Sequence, residues 1–161
     1  MNAIFTIGVY GFTHDTFRAA LEQDRPGVFV DTRRRRGVRG SQYSFANSQR
    51  LQALLDELAI PYIHRIDLAP PEPVIRVQDA ADRAAHIARH DRESLTPEFV
   101  AAYEREVLAG FDSRAFVESL PGSPGSILLF CVEGNPNACH RSLLAARLAH
   151  DLGASIEHIV P

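Results

Sequence analysis

Lysine and tryptophan are absent from this chain, methionine occurs once, and the only cysteines are Cys131 and Cys139. Two cysteines cannot frame a disulfide-stapled scaffold, so the 161 residues must hold together through an apolar core. The material for one is present: 45% of residues are hydrophobic and 23% charged, the usual balance of a globular protein. No apolar run approaches the roughly eighteen residues of a membrane-spanning helix. No basic stretch precedes the apolar start Met1–Phe5, so no secretory signal is read there. A cytoplasmic chain with reduced thiols is the expectation. There is no internal repeat and no low-complexity segment.

Without lysine, all 17 basic residues are arginine. They are unevenly spread. Residues 1–65 carry nine arginines against six acids, whereas residues 66–161 carry eight against fourteen. A basic patch therefore lies within a mildly acidic protein. This excludes a general nucleic-acid coat, which would be basic overall, and leaves room for one anionic ligand.

Strand and helix patterns alternate. Ala3–Val9 reads as a buried strand. Thr13 is a good N-cap for a helix to about Gln23, with Phe12 and Phe17 placed as a hydrophobic staple. Val28–Asp31 is a second strand, and residues 32–46 form an arginine-rich loop. Ser48–Leu58 is amphipathic, with Leu51, Leu54, Leu55 and Leu58 on one face. Pro61–Ile66 is a third strand, and Leu68–Pro73 a proline-rich connection. Val77–His90, Pro97–Leu108 and Ser113–Leu120 read as helices, a helical insertion at about 70–120 between strands three and four. Ser126–Phe130 is the fourth strand, Cys139–Leu152 a helix, and Ser155–Val160 the last strand. The expected fold is a single α/β domain over residues 1–161, a mostly parallel sheet of about five strands with helices on both faces. Ligands of such sheets bind beyond the carboxyl ends of the strands. The segments Gly8–Gly11, Asp31–Arg36 and Cys131–Arg141 would gather there.

The last of these carries the strongest signal. Within eleven residues it places Cys131, Glu133, Cys139, His140 and Arg141, between an apolar strand and a helix. A loop that only turned the chain would favour Gly, Asn, Pro and Ser. Arg141 lies on the same stripe as Leu144 and Leu148, so it points inward, in a first turn where the helix dipole opposes a cation. It therefore needs a counter-charge: Glu133, Asp31 or a bound anion, which the free N–H groups of that turn would also favour. Cys139, beside His140 at the same helix start, is placed to be a partly ionised nucleophile. Cys131 at the strand end reads as buried and inert.

The elements Thr6-Ile7-Gly8 with Gly11 and Thr13, Val30-Asp31-Thr32-Arg33, Ile60-Pro61-Tyr62, Cys131-Val132-Glu133 with Pro136, Cys139-His140-Arg141-Ser142, and His158-Ile159 together resemble the family known as domain of unknown function 488. The resemblance runs over nearly the whole chain, and the Cys-x-Glu…Pro-x-x-Cys-His-Arg run is its most specific part. It implies a Rossmann-like three-layer α/β domain and no settled activity. Two loops depart from the family pattern: Leu68-Ala69-Pro70-Pro71 replaces a Leu-Gly-Gly turn, and Val9 precedes Tyr10.

Several further residues are candidates. Gly8-x-x-Gly11 can cradle a phosphate or simply pack a tight turn, with Tyr10 beside it. Asp31 can hold a ribose or pair with Arg33 or Arg141. Arg33–Arg36 and Arg39 can bind phosphates by forked hydrogen bonds, with Tyr43 and Phe45 near enough to stack a base. His86 and His90 lie four apart on an expected helix, a metal spacing without a third ligand. Cys131, Cys139, His140 and His158 form a zinc alternative at non-standard spacing. No Gly-x-Ser-x-Gly elbow and no Cys-x5-Arg phosphate loop is present.

The functional expectation is an enzyme acting on a phosphate-bearing small molecule, a nucleotide or a nucleobase in nucleic acid. Glu133, Cys139, His140 and Arg141 would be catalytic. Gly8, Tyr10, Gly11, Asp31, Arg33, Cys131 and Ser142 would contact the ligand, with no cofactor and no metal. The alternatives are a non-catalytic nucleotide or nucleic-acid binding module, and a thiol or metal site built on Cys131 and Cys139.

Overall fold

β1 (Ala3–Ile7), β2 (Phe29–Asp31), β3 (Tyr62–His64), β4 (Ser126–Phe130) and β5 (Ser155–Ile159) form one sheet in a computed structural model that describes residues 1–161. The strand order is β3-β2-β4-β1-β5, and every pairing is parallel. β4 lies in the middle, and Ile127, Leu128, Leu129 and Phe130 are all fully buried. A strand covered on both faces has no polar side to present, which is why its sequence is a continuous apolar run.

The chain steps outward from β1 to β2 to β3, then returns to β4 and β5. Parallel crossovers are right-handed, so this reversal sends the helices to opposite faces. α1 (His14–Asp24) and α2 (Ser48–Glu57) cover one face. There Phe17, Leu21, Leu51 and Leu55 pack with Ile7, Phe29, Leu128 and Phe130. α3 (Glu72–Ala85), α4 (Pro97–Glu106), α5 (Ser113–Glu118) and α6 (His140–Leu152) cover the other. Their Val74, Phe99, Tyr103, Phe116, Leu144 and Leu148 meet Ile4, Val28, Val30, Ile127 and Leu129. Alternate residues of β4 thus serve alternate cores, as the pleat requires. The result is the three-layer, Rossmann-like arrangement, with β4 rather than β1 at its centre.

The local signals at α1 are realised in full. Thr13 and Thr16 form a reciprocal capping box, and the rings of Phe12 and Phe17 meet edge to face at 5.7 Å. α3 differs from expectation at both ends. It begins at Glu72, inside the proline-rich connection, because Pro73 falls in the first turn, where no N–H is needed. It ends at Ala85, since His86 adopts a left-handed conformation with φ 55°. His86 and His90 therefore do not share a helix face, both are exposed, and the expected metal spacing between them disappears. Within the arginine-rich loop, Ser41–Ala46 winds into a short 3₁₀ segment that buries Phe45 against Phe17. Phe45 is thereby removed from any ligand-stacking role.

The loops after β1, β2 and β4 emerge side by side at the carboxyl edge of the sheet, where the strand connections diverge. Phe17 anchors the layer beneath them through Phe12, Phe45 and Phe130. Phe17→Ala should lower unfolding free energy by about 3–5 kcal/mol, read as a shifted urea midpoint with an unchanged slope.

Candidate functional site

Two glycines set the distance between the loops that follow β1 and β4. A Cβ on Gly8 would stand 2.0 Å from the carbonyl oxygen of Glu133, and one on Gly134 would stand 2.6 Å from that of Tyr10. The Val132 carbonyl accepts hydrogen bonds from Val9 N (2.9 Å) and Tyr10 N (3.1 Å). These two N–H groups are engaged within the protein, and the glycines serve close packing of the two loops, the other reading of this turn. Gly11, at φ 93°, packs against Pro161.

Arg141 is fully buried, as its place on the α6 stripe requires. Its partners are not those expected. Nη1 donates to the Glu133 carbonyl (2.5 Å) and Nη2 to that of Gly134 (3.0 Å), while Nε has no partner. The guanidinium fork holds the loop backbone and does not line the cleft described below. Arg141 thus grips two carbonyl oxygens and stands outside the cleft lining, so it is not placed to meet an anion bound there, the contact expected of it. Ser142 is likewise engaged, its hydroxyl donating to the carbonyls of Pro136 and Cys139.

Asp31 at the end of β2 is sealed in place. Its carboxylate accepts Arg33 Nε (2.9 Å) and Nη2 (2.8 Å) in a forked pair, and the Tyr62 hydroxyl at 2.9 Å. Burial first, then Asp31, pushes the Tyr62 phenol up to about 12 despite Arg36 nearby. Arg33 also donates Nη1 to the Ala46 carbonyl (2.8 Å) and lies 4.5 Å over the Phe130 ring. The salt-bridge reading of Asp31 is the one observed. Its oxygens are committed and the ribose role is lost.

Between these elements lies a cleft of about 490 Å³. Cys131, Glu133, Cys139 and His140 are buried and contribute to its lining. Cys131 Sγ and Cys139 Sγ each lie 3.9 Å from His140 Nδ1. Cys131 donates toward Glu133 Oε2 at 3.4 Å. The opposite ring nitrogen, His140 Nε2, meets Thr32 Oγ1 at 3.2 Å, while that hydroxyl donates to the Phe130 carbonyl at 2.9 Å. Burial works to raise the Cys139 thiol, but the Cys131 sulfur, Arg141 and His140 outweigh it and hold Cys139 well below the ordinary thiol range. Cys131 is pushed the other way, by the neighbouring Cys139 sulfur and then by burial. The pair favours one shared charge, with the proton on Cys131.

Arginines outnumber acids in the walls, which also include Glu72 and Asp79. Arg89 closes on Glu133 Oε1 through Nε (2.7 Å) and Nη2 (2.6 Å). Arg92 pairs with Asp82 at 2.5 Å, and Gln78 donates to the same carboxylate at 2.8 Å. Burial would raise Asp82, but Arg92 and Gln78 prevail and lower it. Arg34 uses Nε on the Pro70 carbonyl (3.0 Å) and has no carboxylate partner. Arg35 and Arg39 line the same cleft and are exposed. Tyr10 stands at its edge, its ring meeting Tyr43 at 5.1 Å. Arg89 and Arg92 escaped the sequence reading because they lie between α3 and α4, some forty residues away in the chain from Glu133. Only Thr32, adjacent to Asp31, carried a local hint. His158 does not join the thiol group: it pairs with Thr6 Oγ1 at 2.7 Å on β5, and burial and then Arg141 lower it. A groove of about 430 Å³ beside α1 and α2 holds exposed ion pairs such as Arg18–Glu57 and gathers no comparable buried set.

Arg141→Lys should destabilise the protein by about 2–4 kcal/mol, because an ammonium cannot span both carbonyls. Amide hydrogen exchange should accelerate across residues 132–138. Unchanged exchange there would show that the fork does not organise the loop.

Comparison with the curated proteins and with the solved structures gave no match. One family profile matches, described as Domain of unknown function DUF488, over residues 13–148. The matched stretch takes in the β2 and β4 strand ends, the thiol–imidazole group and Arg141, and the chain belongs to the DUF488 family.

Proposed function

We propose that the cleft binds a phosphate-bearing small molecule, a nucleotide or a nucleobase in nucleic acid, and acts on it at the acid, imidazole and thiols of its floor. The observation that carries this reading is the set Arg34, Arg35 and Arg39, three cations in the cleft lining that form no ion pair with a carboxylate. Guanidinium groups left unpaired around a concave site favour an anion, and their planar forks match phosphate oxygens. The neighbouring cations do not compete for it, since Arg33, Arg89 and Arg92 are each held by an acid. Tyr10 offers a ring at the mouth against which a base can stack. Glu133, fixed by Arg89, is placed for general acid or base work beside His140. Buried reduced thiols fit a cytoplasmic setting.

Calorimetric titration with pyrophosphate and with nucleoside mono- and diphosphates tests the binding. Replacing Arg35 and Arg39 together by alanine should weaken pyrophosphate binding about tenfold or more, and added salt should weaken it in the parent chain. Tyr10→Ala should weaken nucleotides and leave pyrophosphate unchanged. If none of these probes binds the parent chain, the reading falls. For any substrate found, Glu133→Gln should abolish turnover while binding persists; unchanged turnover removes Glu133 from the chemistry.

A further inference from the structure

We propose that Cys131, Cys139 and His140 form a three-ligand site for zinc on the floor of the cleft, with its fourth position open toward the bound molecule. The candidate ligand atoms lie within 4.8 Å of one another, and all three residues are buried. Tetrahedral zinc has bonds of about 2.3 Å to sulfur and about 2.0 Å to nitrogen, which places a sulfur about 3.6 Å from a nitrogen. The two sulfurs stand 3.9 Å from Nδ1, a few tenths of an ångström beyond that, and they lie within 4.8 Å of each other against about 3.8 Å around tetrahedral zinc, so the sulfurs must close by up to about 1 Å on binding.

A second, independent observation is the tautomer of His140. The Thr32 hydroxyl has one proton and gives it to the Phe130 carbonyl. Its oxygen must therefore accept from His140 Nε2, which places a proton on Nε2; in the neutral ring the lone pair is then on Nδ1, the nitrogen that faces both sulfurs. An imidazole whose far nitrogen is tied by a hydrogen bond is the arrangement that orients histidine toward a metal. Two thiolates and an imidazole select zinc over magnesium or calcium, which prefer oxygen. Metal binding requires Cys131 to lose the proton that it directs at Glu133 Oε2, and that carboxylate is placed to take it up and pass it to water. All three ligands line the cleft, so a water or a ligand oxygen reaches the fourth position from there. His158, part of the four-residue zinc alternative read from the sequence, is not among the ligands. The inference draws on the proposed function only for what occupies the open position.

The test is titration of the reduced, chelator-treated full chain with cobalt(II), followed by absorption. We expect a near-ultraviolet sulfur-to-cobalt band and visible ligand-field bands that saturate at one equivalent and vanish when zinc is added. Cys131→Ser and Cys139→Ser should each diminish the near-ultraviolet band, and the double variant should lack it. Thr32→Val, which keeps all three ligands, should weaken cobalt binding about ten- to hundredfold at unchanged stoichiometry. Circular dichroism identifies any variant that fails to fold, and the parent and Thr32→Val titrations decide the matter without the cysteine variants. No cobalt band in folded parent protein with two titratable thiols overturns the proposal, as does a mass showing an internal disulfide after purification without oxidant. Pyrophosphate titration of the metal-free chain is run alongside. Retained pyrophosphate binding without cobalt binding defeats the metal site alone, and the reverse defeats the anion reading alone.

Discussion

Arg141 is a cation buried in the first turn of α6, where the helix dipole and the loss of water both oppose its charge. It persists there because two carbonyl oxygens accept its fork and because the Cys139 sulfur next to the same turn favours negative charge. Both compensations act on the segment that carries Cys131, Glu133, Cys139 and His140. Holding the Glu133 and Gly134 carbonyls fixes the path from β4 to α6. That path sets where Cys131 leaves the strand and where Cys139 enters the helix. Gly8 makes the same loop possible from the other side, since the Glu133 carbonyl occupies the space where a side chain would be.

Around this buried centre, charge is arranged in two classes. Arg33–Asp31, Arg89–Glu133 and Arg92–Asp82 are acid–base pairs with at least one partner buried, and they stiffen the walls. Removing one partner of such a pair would leave an uncompensated charge, which is far costlier than the pair itself. Arg34, Arg35 and Arg39 form no ion pair, and it is on these three that the proposed anion binding rests. Whether a given arginine is paired or free thus depends on whether the fold brings a carboxylate to it.

Much of this was legible in the sequence where the signal is local or periodic. The continuous apolar run of β4, the Thr13 cap and phenylalanine staple of α1 and the inward stripe of α6 follow from spacing and residue chemistry alone. So does the prominence of the Cys131–Arg141 segment. The ends of α3 were not legible, because a proline is tolerated in a first turn and His86 closes the helix by adopting a backbone conformation rare for a side-chain-bearing residue. The partners of Asp31 and Ser142 were open for a different reason. A polar side chain announces that it needs a partner, while the partner is chosen by whatever the fold sets beside it.

By itself the sequence determined a parallel α/β sheet, the edge at which its polar loops collect, and an arginine that must point inward from the last helix. Those results rest on periodicity and on the direction of side chains along a helix, which are properties of short segments. Only the tertiary structure decided that Arg141 grips carbonyl oxygens of its own loop, that Arg89 and Arg92 reach the cleft from the helical insertion, and that His140 turns Nδ1 toward both sulfurs. Each of those depends on atoms several residues or more apart in the chain meeting within about 3–4 Å, and no local pattern encodes such a meeting.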